Sequence, residues 1–241
     1  MHSGMLQINA EKMSKSLGNF MLLYEVLETT RPAALRMLML QTHYRSPLDF
    51  SEDRLAEADA ALTRIENAVR NLDWLASNAV DGAPDAVDAA ALGAQVAAAR
   101  EAFARAMDDD FNAPAALGAI FTLVGEVNAA VADKSLSVAD AEAVTAARDG
   151  IVELLAVLGI QLEDDQDEGA AYPPEVIALA ADLAGYGGAD AMEAVEALLE
   201  ARALARKEKN WAVADGVRDG LAALGFTIED TPQGARVSFE G

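Results

Sequence analysis

The segment KMSKSLGNF, residues 12–20, has the residue types and spacing that most directly suggest chemistry. Its candidate functional residues are Lys12, Ser14, Lys15, Ser16 and Gly18. Phosphoryl and nucleotidyl transfers need positive charge where negative charge builds between the attacking and leaving oxygens. Lysine suits that role because its ammonium group is a compact charge on a flexible stem. The two serines add hydroxyl or backbone donors, and the glycine supplies a hinge. The alternative is a solvated surface turn.

The elements that position this segment are a short strand at residues 5–8 and a helical region at residues 20–45. Residues 9–19 between them predict a polar loop. Apolar residues recur at helical spacing on both sides of Pro32. Proline is favoured in the first turn of a helix, so Pro32 predicts the start of a second helix.

Residues 49–162 predict an antiparallel bundle of four or five helices. The first begins after Ser51, a good N-cap, and carries an apolar stripe. The members of that stripe are Leu55, Ala58, Leu62, Ile65, Val69, Leu72 and Leu75. Further helices are predicted over 87–107, 113–132 and 138–158, with Gly159 as a C-cap.

Residues 163–173 predict an acidic linker, and residues 174–241 predict a small α+β domain. Its helices are expected near 174–184, 190–206 and 210–224, followed by a β-hairpin around residues 230–234. The chain is therefore predicted to be mainly α. Residues 1–48, which contain the lysine segment, would form the end of a preceding domain.

Composition and charge limit the classes of function that this chain can have. The net charge is −22, yet residues 1–48 carry a local +2 and residues 202–218 a local +3. Charges interact over only about 8–10 Å in physiological salt, so the total does not exclude RNA binding. The absence of cysteine excludes disulfides and thiolate metal sites, and it fits a cytoplasmic protein. We see neither a signal peptide nor a membrane span.

Two further clusters have competing interpretations. Arg45, beside Tyr44, either approaches a nucleic-acid backbone or pairs with an acidic residue of the bundle. The run 108–110 (DDD) offers carboxylates, but consecutive positions point in different directions and suit one ion poorly. We favour a helix boundary there, with Asn112 as cap and Pro114 starting the next helix.

The junction of the last two predicted helices carries clustered charge. The residues are Arg206, Lys207, Lys209, Trp211, Asp215 and Arg218. Cations there can hold phosphates, and a carboxylate such as Asp215 or Asp230 can accept from the edge of a splayed RNA base. Trp211 is expected to pack in the small core rather than to stack on a base.

Residues 12–20 match the lysine-loop signature of class I aminoacyl-tRNA synthetases, and the following LGNF resembles the cysteinyl branch. The supporting segments, which extend the resemblance over nearly the whole chain, are MHSGM at 1–5, HYRS at 43–46, MDDDFN at 107–112 and EDTPQG at 229–234. One departure is Arg31, where the related bundle often has an acidic residue. It puts in doubt any salt bridge which that acid would make.

The resemblance implies roles for these residues. Lys15, with Ser14 and Ser16, would bind ATP with Mg²⁺, and Lys12 would support the same charge while cysteine forms cysteinyl-adenylate. The residues implied to bind tRNA(Cys) are Arg45 near the acceptor arm, and Arg206, Asp215 and Asp230 at the anticodon.

The family's zinc ion and cysteine pocket lie upstream of the lysine loop. The resemblance therefore implies a carboxyl-terminal part of the enzyme, inactive alone, from a fragment or an internal start codon. We expect a monomer. The alternatives are a non-catalytic tRNA-binding module, the related cysteine ligase of mycothiol synthesis, and an acidic helical scaffold without an RNA role.

Overall fold

The computed structural model describes residues 2–8, 11–13, 22–162, 172–231 and 234–239. The chain separates into two compact units, Met1–Glu163 and Asp164–Gly241, each with its own hydrophobic core. The prediction of a mainly helical protein that ends in an antiparallel strand pair is confirmed. Residues 163–171 of the predicted linker lie outside the described residues.

The first unit begins with a small sheet of β1 (Leu6–Ile8), β2 (Glu11–Lys12) and β3 (Leu48–Asp49), in the order β2-β1-β3. β1 is antiparallel to β2 and parallel to β3. The prediction of an uninterrupted loop over residues 9–19 was wrong at Glu11–Lys12, and β3 was not predicted. Two-residue strands have no periodicity of their own, because their conformation is set by the partner strand.

The helical region divides at Pro32 as predicted, into α1 (Leu23–Leu27) and α2 (Pro32–Leu40). Arg31, immediately before α2, forms ion pairs with Asp59 and Glu66 on the next helix. Arg31 therefore has two acidic partners within the first unit.

The bundle consists of α3 (Glu52–Ser77), α4 (Ala89–Asp108), α5 (Ala113–Val131) and α6 (Val138–Val157). Ser51 caps α3 as predicted, its side chain accepting from the amide of Arg54 at 3.3 Å. Every member of the predicted α3 stripe is buried. Gly159, just beyond α6, has a φ of 69°, the left-handed conformation that a helix end commonly needs.

Within the described residues, α5 is the helix that is long and apolar enough to cross a membrane by length and composition alone. Seven of its side chains are buried in the core of the first unit. A core helix of a globular bundle passes the same test, so the composition of α5 is explained by its packing.

The second unit contains α7 (Glu175–Ala184), α8 (Ala191–Lys207), α9 (Trp211–Ala223), β4 (Phe226–Thr231) and β5 (Gly234–Phe239). β4 and β5 form an antiparallel hairpin whose register runs from Phe226↔Phe239 to Thr231↔Gly234. Phe226 and Phe239 pack against each other and against Tyr172. This packing joins the hairpin to the core that α7, α8 and α9 form.

Candidate nucleotide and nucleic-acid sites

The start of the lysine segment is held by backbone pairing. Lys12 lies on β2 opposite Gln7, and the amide of Met13 donates to the carbonyl of Leu6 at 3.1 Å. Ser14, Lys15 and Ser16 lie outside the described residues, as does the side chain of Lys12. The structure therefore gives the anchor of the predicted ATP loop.

β1 and the residues just before it also pair with the segment that follows α2. The amide of Gly4 donates to the carbonyl of Tyr44 at 2.6 Å, and the amide of Phe50 donates to that of Gln7 at 2.8 Å. A Cβ on Gly4 would lie 2.0 Å from the carbonyl oxygen of Ser46, so only glycine permits this approach. The anchor of the lysine segment and the segment carrying Arg45 are thus parts of one small framework.

Arg45 lies at a polar corner between this framework and the bundle. Its Nη2 is 2.9 Å from Oδ1 of Asp110, and its Nε donates to the Tyr44 hydroxyl at 2.8 Å. That hydroxyl donates to the same Asp110 oxygen at 2.7 Å. The hydrogen bond with Tyr44 and the charge of Asp110 raise the pKa of Arg45. The interpretation in which Arg45 pairs with an acidic bundle residue describes this arrangement, and the guanidinium remains largely exposed.

The acidic run 108–110 forms a helix boundary, as predicted. α4 ends at Asp108, and Asp110 and Phe111 follow with φ values of 55° and 54°. The side chain of Asn112 accepts from the amide of Ala115 at 3.1 Å and caps α5. Nowhere in the described ranges do three or more His, Cys, Asp or Glu side chains converge on a possible metal ion.

In the second unit, the structure brings Arg206 and Asp230 together. Nη1 of Arg206 on α8 lies 2.6 Å from Oδ2 of Asp230 on β4. Arg202, one turn earlier on α8, donates from Nη1 and Nη2 to the two oxygens of the same carboxylate, at 2.7 and 3.1 Å. Hydrogen bonding from Arg202, and secondarily from Arg206, outweighs the opposing effect of burial and lowers the pKa of Asp230 to about 2.

Asp215 on α9 belongs to the same group. It forms an ion pair with Arg218 at 3.3 Å, and its charge also contributes to the raised pKa of Arg202. Sequence reasoning selected Arg206, Asp215 and Asp230 but not Arg202, which pairs with Asp230 through both of its terminal nitrogens. A detectable signal was an arginine within the otherwise apolar α8 stripe, whose other members are Ala194, Val195, Leu198 and Ala205.

The expectation that Trp211 packs in the core was wrong: 58% of the residue's surface is exposed. Trp211 is the first residue of α9, and the buried stripe of that helix begins one turn later at Ala214. The indole therefore extends beyond the end of the core, at the junction that carries the basic residues of α8.

Family comparisons match three successive segments. Residues 1–60 match the family described as tRNA synthetases class I (C) catalytic domain. Residues 102–163 match the DALR domain, and residues 189–237 match the cysteinyl-tRNA ligase anticodon binding domain. The matched segments together cover more than two thirds of the chain and indicate the class I aminoacyl-tRNA synthetase family.

Curated relatives specify the branch. The chain is 40% identical over 236 residues to a cysteine–tRNA ligase of Desulfitobacterium hafniense, covering 98% of this chain and 46% of the relative. A cysteine–tRNA ligase of Pseudomonas aeruginosa is 42% identical over 231 residues, covering 95% of this chain and 42% of the relative. The chain belongs to the cysteinyl-tRNA synthetase family and corresponds to a carboxyl-terminal part of such an enzyme. It spans slightly less than half the length of these relatives.

The family implies a zinc site, and the residues of this chain do not fit one. The sequence contains no cysteine and only two histidines, His2 and His43. The zinc ligands expected from the resemblance include a cysteine thiolate, so we derive no step of the chemistry through zinc.

Proposed function

We propose that this chain supplies the ATP loop and the tRNA-binding surfaces of a cysteine–tRNA ligase, which activates cysteine with ATP and transfers it to tRNA(Cys). The observation that supports this most directly is the charged group of Arg206, Asp215 and Asp230, beside the exposed Trp211. These residues lie within the segment that matches an anticodon-binding domain.

The lysine segment would act in the first step. A carboxylate oxygen of cysteine attacks the α-phosphorus of ATP, and the bond to the bridging oxygen breaks, so that pyrophosphate leaves. Lys15 would neutralise charge on the phosphates as it builds, with Lys12 supporting it and Ser14 and Ser16 donating hydrogen bonds. Pairing between β1 and β2 would fix one end of the loop while the rest closes on the nucleotide.

The second unit would read the anticodon. Lysine and arginine side chains at the end of α8 attract the RNA backbone, and an exposed indole offers a stacking surface for an unpaired base. Arg206 and the carboxylates of Asp215 and Asp230 would contribute hydrogen bonds to bases. In the first unit, the exposed guanidinium of Arg45 would contact the backbone near the acceptor arm, oriented by Tyr44 and Asp110.

The cysteine pocket, with its zinc ion, would be contributed by residues upstream of this sequence. The chain alone would then bind tRNA without activating cysteine. We further propose a cytoplasmic monomer, in which Mg²⁺ accompanies ATP.

The first alternative is a non-catalytic tRNA-binding module with the same surfaces. A cysteine ligase of mycothiol synthesis is disfavoured, because joining cysteine to an amino sugar gives no use for the matched anticodon-binding segment. An acidic scaffold without an RNA role would leave the exposed basic and aromatic side chains of the α8–α9 junction unexplained.

Filter binding separates the two functions that bind tRNA from the acidic scaffold. The chain is incubated with tRNA(Cys), with tRNA(Cys) carrying a changed anticodon, and with an unrelated tRNA, at several salt concentrations. Preferential retention of tRNA(Cys), weakening with salt, supports the proposed function and the tRNA-binding module alike, and charging by a completed enzyme separates those two. Equal retention of all three RNAs contradicts anticodon reading, and retention of none supports the scaffold.

A further inference from the structure

Arg202 occupies a position on α8 that packing alone would give to an apolar side chain. It falls in the stripe with Val195, Leu198 and Ala205, and its side chain is only 10% exposed. Its Nε atom is buried and has no hydrogen-bond partner among the described residues. Burying a charged group and leaving a donor unsatisfied both oppose folding.

The Arg202 guanidinium is held in a fixed geometry by its contact with Asp230 on β4. Both terminal nitrogens of its guanidinium donate to Asp230, one to each carboxylate oxygen. Phe226, Ile228 and Asp230 alternate along β4 and therefore share one face of the strand, which packs toward the helices through Phe226 and Ile228. The paired contact fixes the orientation of the carboxylate as well as its position.

The same Asp230 carboxylate also forms an ion pair with Arg206 and so orients its guanidinium. The Asp230 side chain is 48% exposed and that of Arg206 is 45% exposed, so this second ion pair reaches the solvent-facing side of the group. One carboxylate thus joins a nearly buried guanidinium to an exposed one. The exposed guanidinium, that of Arg206, is the group that can contact RNA.

We propose that Arg202 is a positioning residue for anticodon selectivity, acting through Asp230 to hold Arg206 in its RNA-facing orientation. This inference rests on the proposed function and names a residue behind its RNA-binding face. Arg202 itself does not touch the RNA.

Because Arg202 is nearly buried and Asp230 is half exposed, replacing Arg202 can lower selectivity without lowering stability. Replacing a buried charged group with an apolar one of similar volume is commonly neutral or stabilising, provided that no buried partner is left unpaired. Asp230 is half exposed and keeps Arg206 as a partner. We therefore expect Arg202→Met to retain the thermal stability of the second unit while losing selectivity.

The test uses fluorescein-labelled anticodon stem-loops of tRNA(Cys), one with the native anticodon and one with a changed anticodon, and measures the ratio of their affinities for the full chain by anisotropy. Arg202→Met and Asp230→Asn are each expected to lower that ratio, by about tenfold if one charge-assisted contact is misplaced. The double variant is expected to match Asp230→Asn alone, because both changes break the same connection. Glu229→Gln, on the opposite face of β4, is the matched charge control and should leave the ratio unchanged.

The outcomes are distinct. Additive losses in the double variant, or an unchanged ratio in folded Arg202→Met, would overturn the positioning role and leave the proposed function standing. If Arg202→Met fails to fold by circular dichroism, Arg202→Lys replaces it, since lysine keeps the charge but not the paired geometry. An unmodified chain that binds both stem-loops equally, or neither, would refute the proposed function itself.

Discussion

Arg31, the residue before α2, donates from Nη1 to both carboxylate oxygens of Glu66 on α3, at 3.0 and 3.1 Å. Glu66 is buried, and Nη2 of Arg31 also lies 2.7 Å from Oδ1 of Asp59, two turns earlier on α3. This pairing fixes α2 against the bundle. Because α2 leads into the segment that pairs with β1, the same contact helps to position the anchor of the lysine loop.

Removing the cation from this pair should destabilise the first unit. Arg31→Met leaves the buried Glu66 carboxylate without its guanidinium partner, for which we expect a loss of about 3 kcal/mol in the free energy of unfolding. Urea denaturation followed by circular dichroism measures it. Arg54→Met is the matched control, since Arg54 and Glu57 form an exposed pair that we expect to contribute less than about 1 kcal/mol. Similar effects of the two substitutions would contradict this role for Arg31.

Asp140 should make the first unit sensitive to acid. Its buried carboxylate accepts from the amides of Ala86, Val87 and Ser137 at 2.9, 3.0 and 3.0 Å. Burial raises the pKa of Asp140, but these backbone hydrogen bonds outweigh it, and the net pKa is lowered. A lowered folded-state pKa gives stability that is present above the unfolded value, about 3.9, and is lost as the pH falls through the folded value.

We therefore expect Asp140→Asn to cost about 2 kcal/mol at neutral pH, because an amide cannot accept at both of its terminal atoms. The same variant should lose less additional stability than the unmodified chain as the pH falls below about 4. Urea denaturation across this pH range provides the measurement. Glu142→Gln, exposed on the same helix, is the control. Parallel pH profiles for Asp140→Asn and the unmodified chain would show that Asp140 is not the responsible group.

The Asp230 carboxylate provides a spectroscopic test of its ion pairs. Its pKa of about 2 is attributed first to hydrogen bonding from Arg202. Arg202→Met should therefore raise that pKa toward the ordinary value for aspartate, while Arg206 keeps it partly lowered. A ¹³C NMR titration of the aspartate carboxyl groups from about pH 1.5 to about pH 6 covers both pKa values and follows the change. An unshifted Asp230 resonance would mean that Arg202 does not control the carboxylate.

Sequence reasoning predicted the long elements well, because their signals are local. Ser51, the α3 stripe and Asn112 each specify a helix start or face within a few residues. β2 and β3 escaped prediction because each consists of two residues paired with β1 across the chain.

The candidate site was predictable in composition but not in connectivity. Arg206 and Asp230 were selected by residue type and resemblance. The ion pair between them depends on how the hairpin packs on α8, which the sequence does not show. Trp211 was assigned to the core from its apolar ring, and the structure places it before the first buried turn of α9. Sequence gives the helix face of such a residue but not the extent of the core it meets.

Lys15 should control the adenylate step without affecting the fold. In an enzyme completed by the upstream half of the Desulfitobacterium hafniense relative, we expect Lys15→Ala to lower cysteine-dependent pyrophosphate exchange by about 100-fold, as for loss of one preorganised contact to developing charge. Circular dichroism and tRNA(Cys) binding should stay near those of the unsubstituted chimera. Lys134→Ala, a lysine of the bundle outside the proposed site, is the control. Unchanged exchange in Lys15→Ala would remove Lys15 from the mechanism.

The most direct measurement is transfer of radiolabelled cysteine by the same chimera to tRNA(Cys), to tRNA(Cys) with a changed anticodon, and to an unrelated tRNA. If this chain carries the ATP loop and the anticodon-reading surface, tRNA(Cys) is charged in preference to the other two, and Lys15→Ala abolishes the transfer. Equal charging of all three RNAs, or transfer that is unaffected by Lys15→Ala, would contradict the proposed function.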